Sequence, residues 1–479
     1  MASGAIWMVF GRLLERSIGL ISTIIVARIL SPDDFGLVAM ATSLMAVLEV
    51  LGAFSLDSAI IQNNKSNRSH YDTAWTINLI YAVGTALVLA LLAYPASTFY
   101  SEPRLVGVMF ALAIAALING LGNIGVVEFR KELNFRKEFT FRLINRVILF
   151  ATTVIAAVVF RNYWALVIGM VLGAALGVTT SYIVHKFRPR LSLSVWREMF
   201  KFSKWMILGS ISNFIYHRSA DFFVAKVVGA KGLGLYSISY EFANLAGSEI
   251  AAPLNRALLP GYSKLKESTK DLKQSFLQVT SVLALVCFPA AIGIGFVADE
   301  LVALLLGGQW GESAQLIKVI ALAAAVNVLQ NNCNVVYIAL GTPKTNTLIV
   351  FAGAMLMLGS MGILVPQFGV MGAAYAAIVT ATLSTPLNLF ITARKLEFSL
   401  LEIIAAIWRP TVATACMVVS TTWLCEYLIR NGLDFHVTVW LALKVFLGAI
   451  TYMTAYLVMW ALAGRPEGPE KLLFRLVHR

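Results

Sequence analysis

Apolar runs of about twenty residues follow one another along the whole chain, separated by short polar connections. The runs are continuous and rich in Leu, Ala and Val, and they lack the alternation of apolar and polar residues that a membrane β-strand shows. A helix needs roughly 20 apolar residues to cross a bilayer, so we expect about fourteen transmembrane helices. The runs begin near residues 4, 36, 74, 104, 141, 163, 203, 232, 274, 313, 345, 368, 403 and 438. The pattern predicts an all-α polytopic membrane protein.

The first apolar run, residues 4–26, is interrupted by three charged residues, Arg12, Glu15 and Arg16. At ~100° per residue these side chains fall on one stripe of the helix, and apolar residues cover most of the remaining surface. At ~1.5 Å per residue, Arg16 would lie roughly 18 Å into the span, too deep to reach the membrane surface easily. Charges at this depth are costly, so the stripe indicates a polar cavity inside a helical bundle.

Lys and Arg residues concentrate in the connections after even-numbered helices and in the C-terminal tail. This asymmetry predicts that both termini lie in the cytoplasm. The same connections hold most of the formal net charge of +13, and they would attract anionic membrane lipids. The charge therefore gives no reason to expect nucleic acid as a partner.

The sequence lacks the motifs of common catalytic and cofactor sites. No GxxxxGK[ST] phosphate loop occurs, so we do not expect ATP to drive this protein directly. The four cysteines lie in apolar runs without metal-ligand spacing, and the five histidines are scattered. We expect no catalytic residues, no metal and no cofactor.

An internal repeat relates two short segments. Residues 27–38 read ARILSPDDFGLV and residues 225–236 read AKVVGAKGLGLY, an offset of 198 residues that covers six of the expected helices. Because six is an even number of crossings, the two halves share one orientation, as in transporters built from parallel repeats. We predict an N-lobe at 1–190 with helices 1–6 and a C-lobe at 191–398 with helices 7–12. Residues 399–479 would add helices 13 and 14 and a cytoplasmic tail.

Several segments carry a family resemblance by their order and spacing. They are RLLERSIGLISTIIVARILSPDDFGLVAMA from Arg12, YDTAWTINL from Tyr71, SEPRL from Ser101, NIGVVEFRKELNFRKEF from Asn123, YWALVIGMVLG from Tyr163, SYIVHKFRPRLSL from Ser181 and FSKW from Phe202. In these segments the chain resembles the WzxC-like polysaccharide biosynthesis proteins, which are oligosaccharide flippases of the multidrug/oligosaccharidyl-lipid/polysaccharide (MOP) exporter superfamily.

The resemblance implies a two-lobed, MATE-like fold of fourteen helices that works by alternating access. It also implies translocation of undecaprenyl-pyrophosphate-linked oligosaccharide repeat units across the bacterial inner membrane, for exopolysaccharide, capsule or O-antigen synthesis. A polysaccharide polymerase and a chain-length regulator would be partner proteins. A proton or sodium gradient, or the membrane potential, would be the energy source.

A lipid-linked oligosaccharide presents a pyrophosphate that must cross the membrane. Cations in a wet groove would lower the cost of this crossing, and the planar guanidinium of Arg can bond two phosphate oxygens at once. We predict that the pyrophosphate binds four arginines, namely Arg12, Arg16, Arg146 and Arg218. The alternative is that these cations pair with nearby acids and lock helices together, because Arg12 and Glu15, like Arg218 and Asp221, stand three residues apart.

Amides and acids supply two further sets of candidates. Asn327, Asn331 and Asn334 follow an i, i+4, i+7 spacing on helix 10, and amides suit sugar hydroxyls because they both donate and accept hydrogen bonds. The alternative is that they hold helices together across the membrane. The candidate ion-coupling carboxylates are Glu49, Asp57, Asp221 and Glu249. The alternative for this set is a static salt bridge to one of the arginines.

Two rival functions are compatible with a basic polytopic protein. A multidrug cation antiporter of the same superfamily would need an acidic cavity, which the arginines of helix 1 disfavour. A membrane glycan polymerase would need room for catalytic groups on the outer face, where the connections are short. We therefore expect a secondary-type transporter and not an enzyme.

Overall fold

The computed structural model describes residues 2–51, 60–61, 66–433 and 435–464. For residues 2–10, 51, 198–210, 252–253 and 256–257 the description covers the backbone alone. The predicted coupling residue Asp57 lies outside the described residues.

Within these ranges the chain is helical and contains no β-strand, so the all-α prediction is confirmed. The long helices are α1 (Ala2–Ile29), α2 (Pro32–Leu51), α3 (Arg68–Tyr100), α4 (Leu105–Gly120), α5 (Phe135–Phe160), α6 (Trp164–Val184), α7 (Trp196–Val227), α8 (Ala230–Ala243 and Ala252–Leu265, joined through a π-helical turn at Gly247–Ala251), α9 (Thr269–Phe296), α10 (Gly311–Ala339), α11 (Pro343–Phe368), α12 (Val370–Leu396), α13 (Leu400–Arg430) and α14 (Val437–Leu462). Short helical turns occupy Ile124–Val127, Glu128–Lys131, Ala298–Leu301, Val302–Leu306 and Gly308–Trp310.

Among the described residues, nine helices are long and apolar enough to cross a membrane. They are α3, α5, α6 and each long helix from α9 to α14. Helix α4 and the helical turn after it are bent by 66° and would make a tenth span if the pair is counted as one. A multi-pass membrane protein is thereby confirmed, and the number of fourteen spans stays a prediction.

The chain divides into two compact units, Met1–Gly234 and Leu235–Arg479. The lobes predicted from the repeat, which end at residues 190 and 398, divide the chain differently from these compact units. The predicted lobes stay a prediction.

In the first unit, glycines recur at every fourth residue of α6, and each faces one side chain of α5. A Cβ atom built on the glycine would lie 2.3 Å from Thr153 at Gly169, 2.9 Å from Leu149 at Gly173 and 3.5 Å from Asn145 at Gly177. Small residues at this spacing let two helices approach closely within a membrane. The α5–α6 pair is therefore held by close backbone packing.

The repeated segments contact each other inside the first unit. A Cβ on Gly36 would lie 1.7 Å from the carbonyl oxygen of Ala230, and a Cβ on Gly234 would lie 1.8 Å from the carbonyl oxygen of Pro32. Pro32 and Ala230, like Gly36 and Gly234, are separated by the repeat offset of 198 residues. The two contacts are thus equivalent under the repeat, and each requires a residue without a side chain.

Residues of the family segments tie the helix connections of the first unit together. The Asp34 carboxylate accepts a hydrogen bond from the backbone N–H of Tyr163 at 2.8 Å. Arg104 forms ion pairs with Asp33 at 2.8 Å and with Glu102 at 2.7 Å. These bonds connect the starts of α2, α4 and α6.

A second set of bonds holds the opposite ends of α4 and α6. The side-chain amide of Asn123 donates to the carbonyl oxygens of His185 at 3.1 Å and Phe187 at 2.9 Å. The His185 ring lies 2.9 Å from the Glu128 carboxylate. The connection after α4 is therefore fixed to the end of α6.

The second unit packs around α10, which carries a buried polar network. Asn332 accepts a hydrogen bond from the Tyr262 hydroxyl at 3.0 Å and donates to the Thr280 hydroxyl at 2.9 Å. The Tyr337 hydroxyl lies 2.7 Å from both the Asn388 side-chain oxygen and the Thr392 hydroxyl. These bonds join α10 to α8, α9 and α12 inside an otherwise apolar core.

Candidate functional site

The charged stripe of α1 packs against α5, and this contact brings several of the predicted arginines together. The Nε atom of Arg146 donates to the carbonyl oxygen of Glu15 at 3.1 Å. A Cβ on Gly19 would lie 1.8 Å from the Arg146 guanidinium, so the glycine leaves the space that this side chain occupies. The predicted residues Arg16, which follows Glu15 on α1, and Arg146 are both half-buried.

A small cavity of about 80 Å³ opens between the same two helices, nearer to the start of α1. It is lined by Arg12, Glu15, Glu138 and Arg142, with Phe135, Phe139 and Gly11. The Glu138 carboxylate lies 2.9 Å from Arg142 and 3.0 Å from Arg130. The Arg12 side chain is exposed.

We call this α1–α5 contact, together with the neighbouring Arg16 of α1, the arginine groove and define it by Arg12, Glu15, Arg16, Glu138, Arg142 and Arg146. Four arginines stand there against two glutamates, so the groove has a net positive charge. Such a groove favours an anion, and the arginine forks can bond phosphate oxygens in pairs. Arg142 and Glu138 were not among the site residues predicted from the sequence, although their i, i+4 spacing at a charged helix start was a usable signal.

Arg218, Asp221 and Glu49 form a second charged group, at the contact between α7 and α2. The Arg218 guanidinium lies 3.0 Å from the Asp221 carboxylate, so the pairing foreseen as the alternative for this arginine is present. The Asp221 side chain is buried, whereas 53% of the Arg218 side chain is exposed. Glu49 is exposed and close enough to Arg218 for the two charges to interact.

The remaining candidates lie in the second unit. Asn331 is exposed, and Asn327 and Asn334 are half-buried. The Asn334 side-chain oxygen accepts a hydrogen bond from Asn388 at 3.5 Å. Glu249 is half-buried in the π-helical turn of α8, where the Ser248 hydroxyl donates to it at 2.6 Å.

Long apolar helices of this arrangement define a polytopic membrane protein, and the first helix carries a basic groove. The fold is similar to the solved structure of "Lipid II flippase MurJ, inward closed conformation", with a TM-score of 0.76 at 12% identity over 97% of this chain and 100% of that chain. It is also similar to the inward-facing conformation of a MATE transporter of the MOP superfamily, with a TM-score of 0.62 at 14% identity over 80% and 94% of the two chains. The predicted MATE-like fold is confirmed.

The chain belongs to the family described as Polysaccharide biosynthesis protein, whose profile matches residues 25–315. It is 25% identical to the lipopolysaccharide biosynthesis protein WzxC of Escherichia coli over 69% of this chain and 67% of that protein. It is 24% identical to an uncharacterized membrane protein in the cps region of Klebsiella pneumoniae over 98% and 95% of the two chains. The teichuronic acid biosynthesis protein TuaB of Bacillus subtilis is 23% identical over 87% of this chain and 86% of TuaB. The family resemblance seen in the sequence is confirmed.

Proposed function

We propose that this protein translocates undecaprenyl-pyrophosphate-linked oligosaccharides across the bacterial inner membrane, by alternating access, for the synthesis of an extracellular polysaccharide. The arginine groove is the observation that carries this proposal. The similarity to polysaccharide biosynthesis proteins and to a lipid II flippase supports it.

The pyrophosphate is the part of such a substrate that is hardest to move through hydrocarbon. We propose that Arg16 and Arg146 bind it in the groove and that Arg12 guides it there from the start of α1. The Arg218 side chain would bind the pyrophosphate through the part of its guanidinium that Asp221 leaves exposed. Charge-assisted bonds of this kind are roughly twice as strong as neutral ones.

For the sugar and ion sites we propose candidate residues only. Asn327, Asn331 and Asn334 are candidates for contacts with sugar hydroxyls, and Asn331 is the most exposed of them. Glu49, Asp57, Asp221 and Glu249 are candidates for coupling to protons or sodium ions. Among the described candidates, Glu49 is the best placed, because it is exposed and interacts with the charge of Arg218. A cation bound at Glu49 would change that interaction.

The excess of Lys and Arg in alternate connections supports a topology with both termini in the cytoplasm. In that orientation the tied connections of Asn123 and His185 lie on the inner side, and those of Asp34 and Arg104 lie on the outer side. A polymerase and a chain-length regulator are the proposed protein partners.

Translocation of a fluorescent undecaprenyl-pyrophosphate-linked oligosaccharide in proteoliposomes tests the proposal. Wild-type protein should move the lipid to the far leaflet, and Arg16→Ala should abolish the movement with unchanged expression and thermal stability. Arg430→Ala is the matched control, because 81% of that side chain is exposed and its partner is Glu426. Full activity of Arg16→Ala would remove Arg16 from the site.

The cation antiporter of the same superfamily is distinguished in the same vesicles. Export of an organic cation without movement of the lipid, under a proton or sodium gradient, would replace the flippase proposal. Glu49→Gln should then abolish the export, since a carboxylate is the expected partner of a cation.

A further inference from the structure

A second cavity lies in the first unit, on another side of α5 from the arginine groove. Its volume is about 480 Å³, within the range of ~300–1,000 Å³ that is usual for small-molecule sites. Helices α2, α4, α5 and α6 form the walls, and the lining includes Met45, Asn119, Phe141, Asn145, Gly173 and Gly177. None of the lining residues is charged.

Asn145 lines this cavity, and its side-chain amide has an unused hydrogen-bonding atom. Its side-chain oxygen is buried and has no hydrogen-bond partner among the described residues. Leaving such an atom unpaired costs roughly 1–3 kcal/mol, so a leucine would be more stable here than the asparagine. Asn119 adds a second amide at the wall, and its side chain is exposed.

The cavity and the arginine groove lie at the same position along the axis of α5. Asn145 and Arg146 are consecutive residues of α5, so they lie ~1.5 Å apart along the helix axis and ~100° apart around it. Arg146 binds α1 at Glu15, whereas Asn145 lines the cavity. In a lipid-linked oligosaccharide the first sugar is bonded directly to the pyrophosphate, and the two sites on α5 would serve these adjacent groups.

Two other cavities of similar volume suit a neutral sugar less well. One, of about 600 Å³, is lined by Arg68, Glu128, Lys131 and Glu132 and is charged. The other, of about 660 Å³ between α9, α13 and α14, is lined almost wholly by apolar residues. The cavity at Asn145 combines neutral amides with the flat face of Phe141, against which the apolar face of a sugar ring can pack.

We propose that this neutral cavity binds the sugar ring that is attached to the pyrophosphate. The inference rests on the proposed flippase function and makes the cavity part of the substrate site. The Asn145 side chain would turn its amide toward the cavity to bond a sugar hydroxyl, and Asn119 would supply a second amide. Discrimination between first sugars would then arise in the first unit.

Binding of four lipids to the purified protein tests the proposal. The probes are undecaprenyl pyrophosphate and the same lipid carrying glucose, galactose or N-acetylglucosamine. Wild type should bind at least one sugar-bearing lipid about fivefold more tightly than the bare lipid, the effect of one or two net hydrogen bonds. Asn145→Leu should lose this difference, keep its affinity for the bare lipid and unfold at the same or a higher temperature.

A variant on the α2 wall fills the cavity without touching its amides. Met45→Phe should narrow the cavity and weaken the sugar preference without altering any polar group. Thr179→Val is a control on α6 outside the cavity, because its side chain is exposed and its hydroxyl bonds the Ala175 carbonyl oxygen of its own helix at 2.8 Å.

The outcomes separate this inference from the function on which it rests. Equal binding of all four lipids by wild type, or an unchanged sugar preference in Asn145→Leu, would overturn the sugar site while translocation still occurs. A fall in affinity for the bare lipid in Asn145→Leu would also overturn it, because the residue would then act through Arg146. Failure of wild type to bind or move any undecaprenyl lipid would contradict the flippase proposal itself.

Discussion

The arginine groove of the first unit and the polar network on α10 of the second unit differ in how fully their hydrogen-bonding capacity is used. On α10, Asn332 is fully buried and bonded to two partners at about the ideal distance. In the groove, Arg12 is exposed, and the positive charges outnumber the negative ones. Saturated polar groups stabilise a fold, whereas an excess of positive charge with an exposed arginine is available to an anionic ligand.

The largest expected effect falls on the groove. Arg146→Gln should lower the translocation rate about 10²-fold, since it removes the proposed charge-assisted bond to the pyrophosphate. Translocation in proteoliposomes measures this loss. Thermal unfolding of the variant should change little, because only one bond, to the Glu15 carbonyl oxygen, holds this side chain in the described structure. A large loss of stability with normal transport would contradict this expectation and assign the groove a structural role.

On α10 we expect the opposite result. Asn332→Ala should destabilise the protein by ~2–3 kcal/mol, because it leaves the buried Tyr262 hydroxyl unpaired and opens a cavity. Denaturant unfolding in detergent measures this change. The double variant with Tyr262→Phe should lose less than the sum of the single losses, since the two residues share one bond. Transport per folded molecule should stay at the wild-type level, and a specific transport defect would place Asn332 in the substrate site.

A smaller effect is expected from the glycine beneath Arg146. Gly19→Ala places a methyl group where the guanidinium lies, and the flexible side chain must move away. Translocation should fall about fivefold, or ~1 kcal/mol, without unfolding. In the double variant with Arg146→Gln the alanine should add no further loss, because the group it displaces is absent. An additive loss would show that Gly19 acts independently of Arg146.

The smallest effect concerns the ion pairs outside the membrane-spanning segments. The side-chain hydrogen bond from Arg104 lowers the pKa of Glu102 below the ordinary value of 4.5 for a glutamate side chain. A lowered pKa in the folded protein means that this stabilisation is complete above that value and is lost as the pH falls below it. Because both groups are partly exposed, we expect less than about 1 kcal/mol. The stability difference between wild type and Glu102→Gln, measured by thermal unfolding from about pH 7 to about pH 3.5, should shrink toward low pH. A difference that grows instead would contradict the pairing.

The sequence predicted the helical class because hydrophobic runs are a local signal, and it predicted the repeat because positions 36 and 234 share the Gly-Leu pattern. It could not assign the α10 amides, since their partners Tyr262, Thr280 and Asn388 lie 52 to 70 positions away. The i, i+4, i+7 rule selected Asn331, yet it could not reveal that Asn332 beside it would be saturated. The contact of Arg146 with Glu15 joins residues 131 positions apart and was equally invisible.

The family segments also show what a sequence pattern cannot reveal about the site. Asp33, Asp34 and Arg104 lie in the segments that carry the family resemblance. The structure places these residues in bonds between helix ends. Asn123 and His185 have the same role at the opposite ends. Much of the recognisable sequence in the first unit therefore records how its helices are tied together, whereas the neutral cavity at Asn145 carries no motif.

The paired glycines Gly36 and Gly234 limit the ways in which this protein can recover from mutation. Each faces a carbonyl oxygen of the main chain, and no substitution at Pro32 or Ala230 can make that oxygen smaller. A defect caused by Gly36→Ala therefore has no remedy at the contact itself. Suppressor mutations selected for restored polysaccharide export should map to residues that let α2 shift along its neighbours, and the same suppressors should rescue Gly234→Ala.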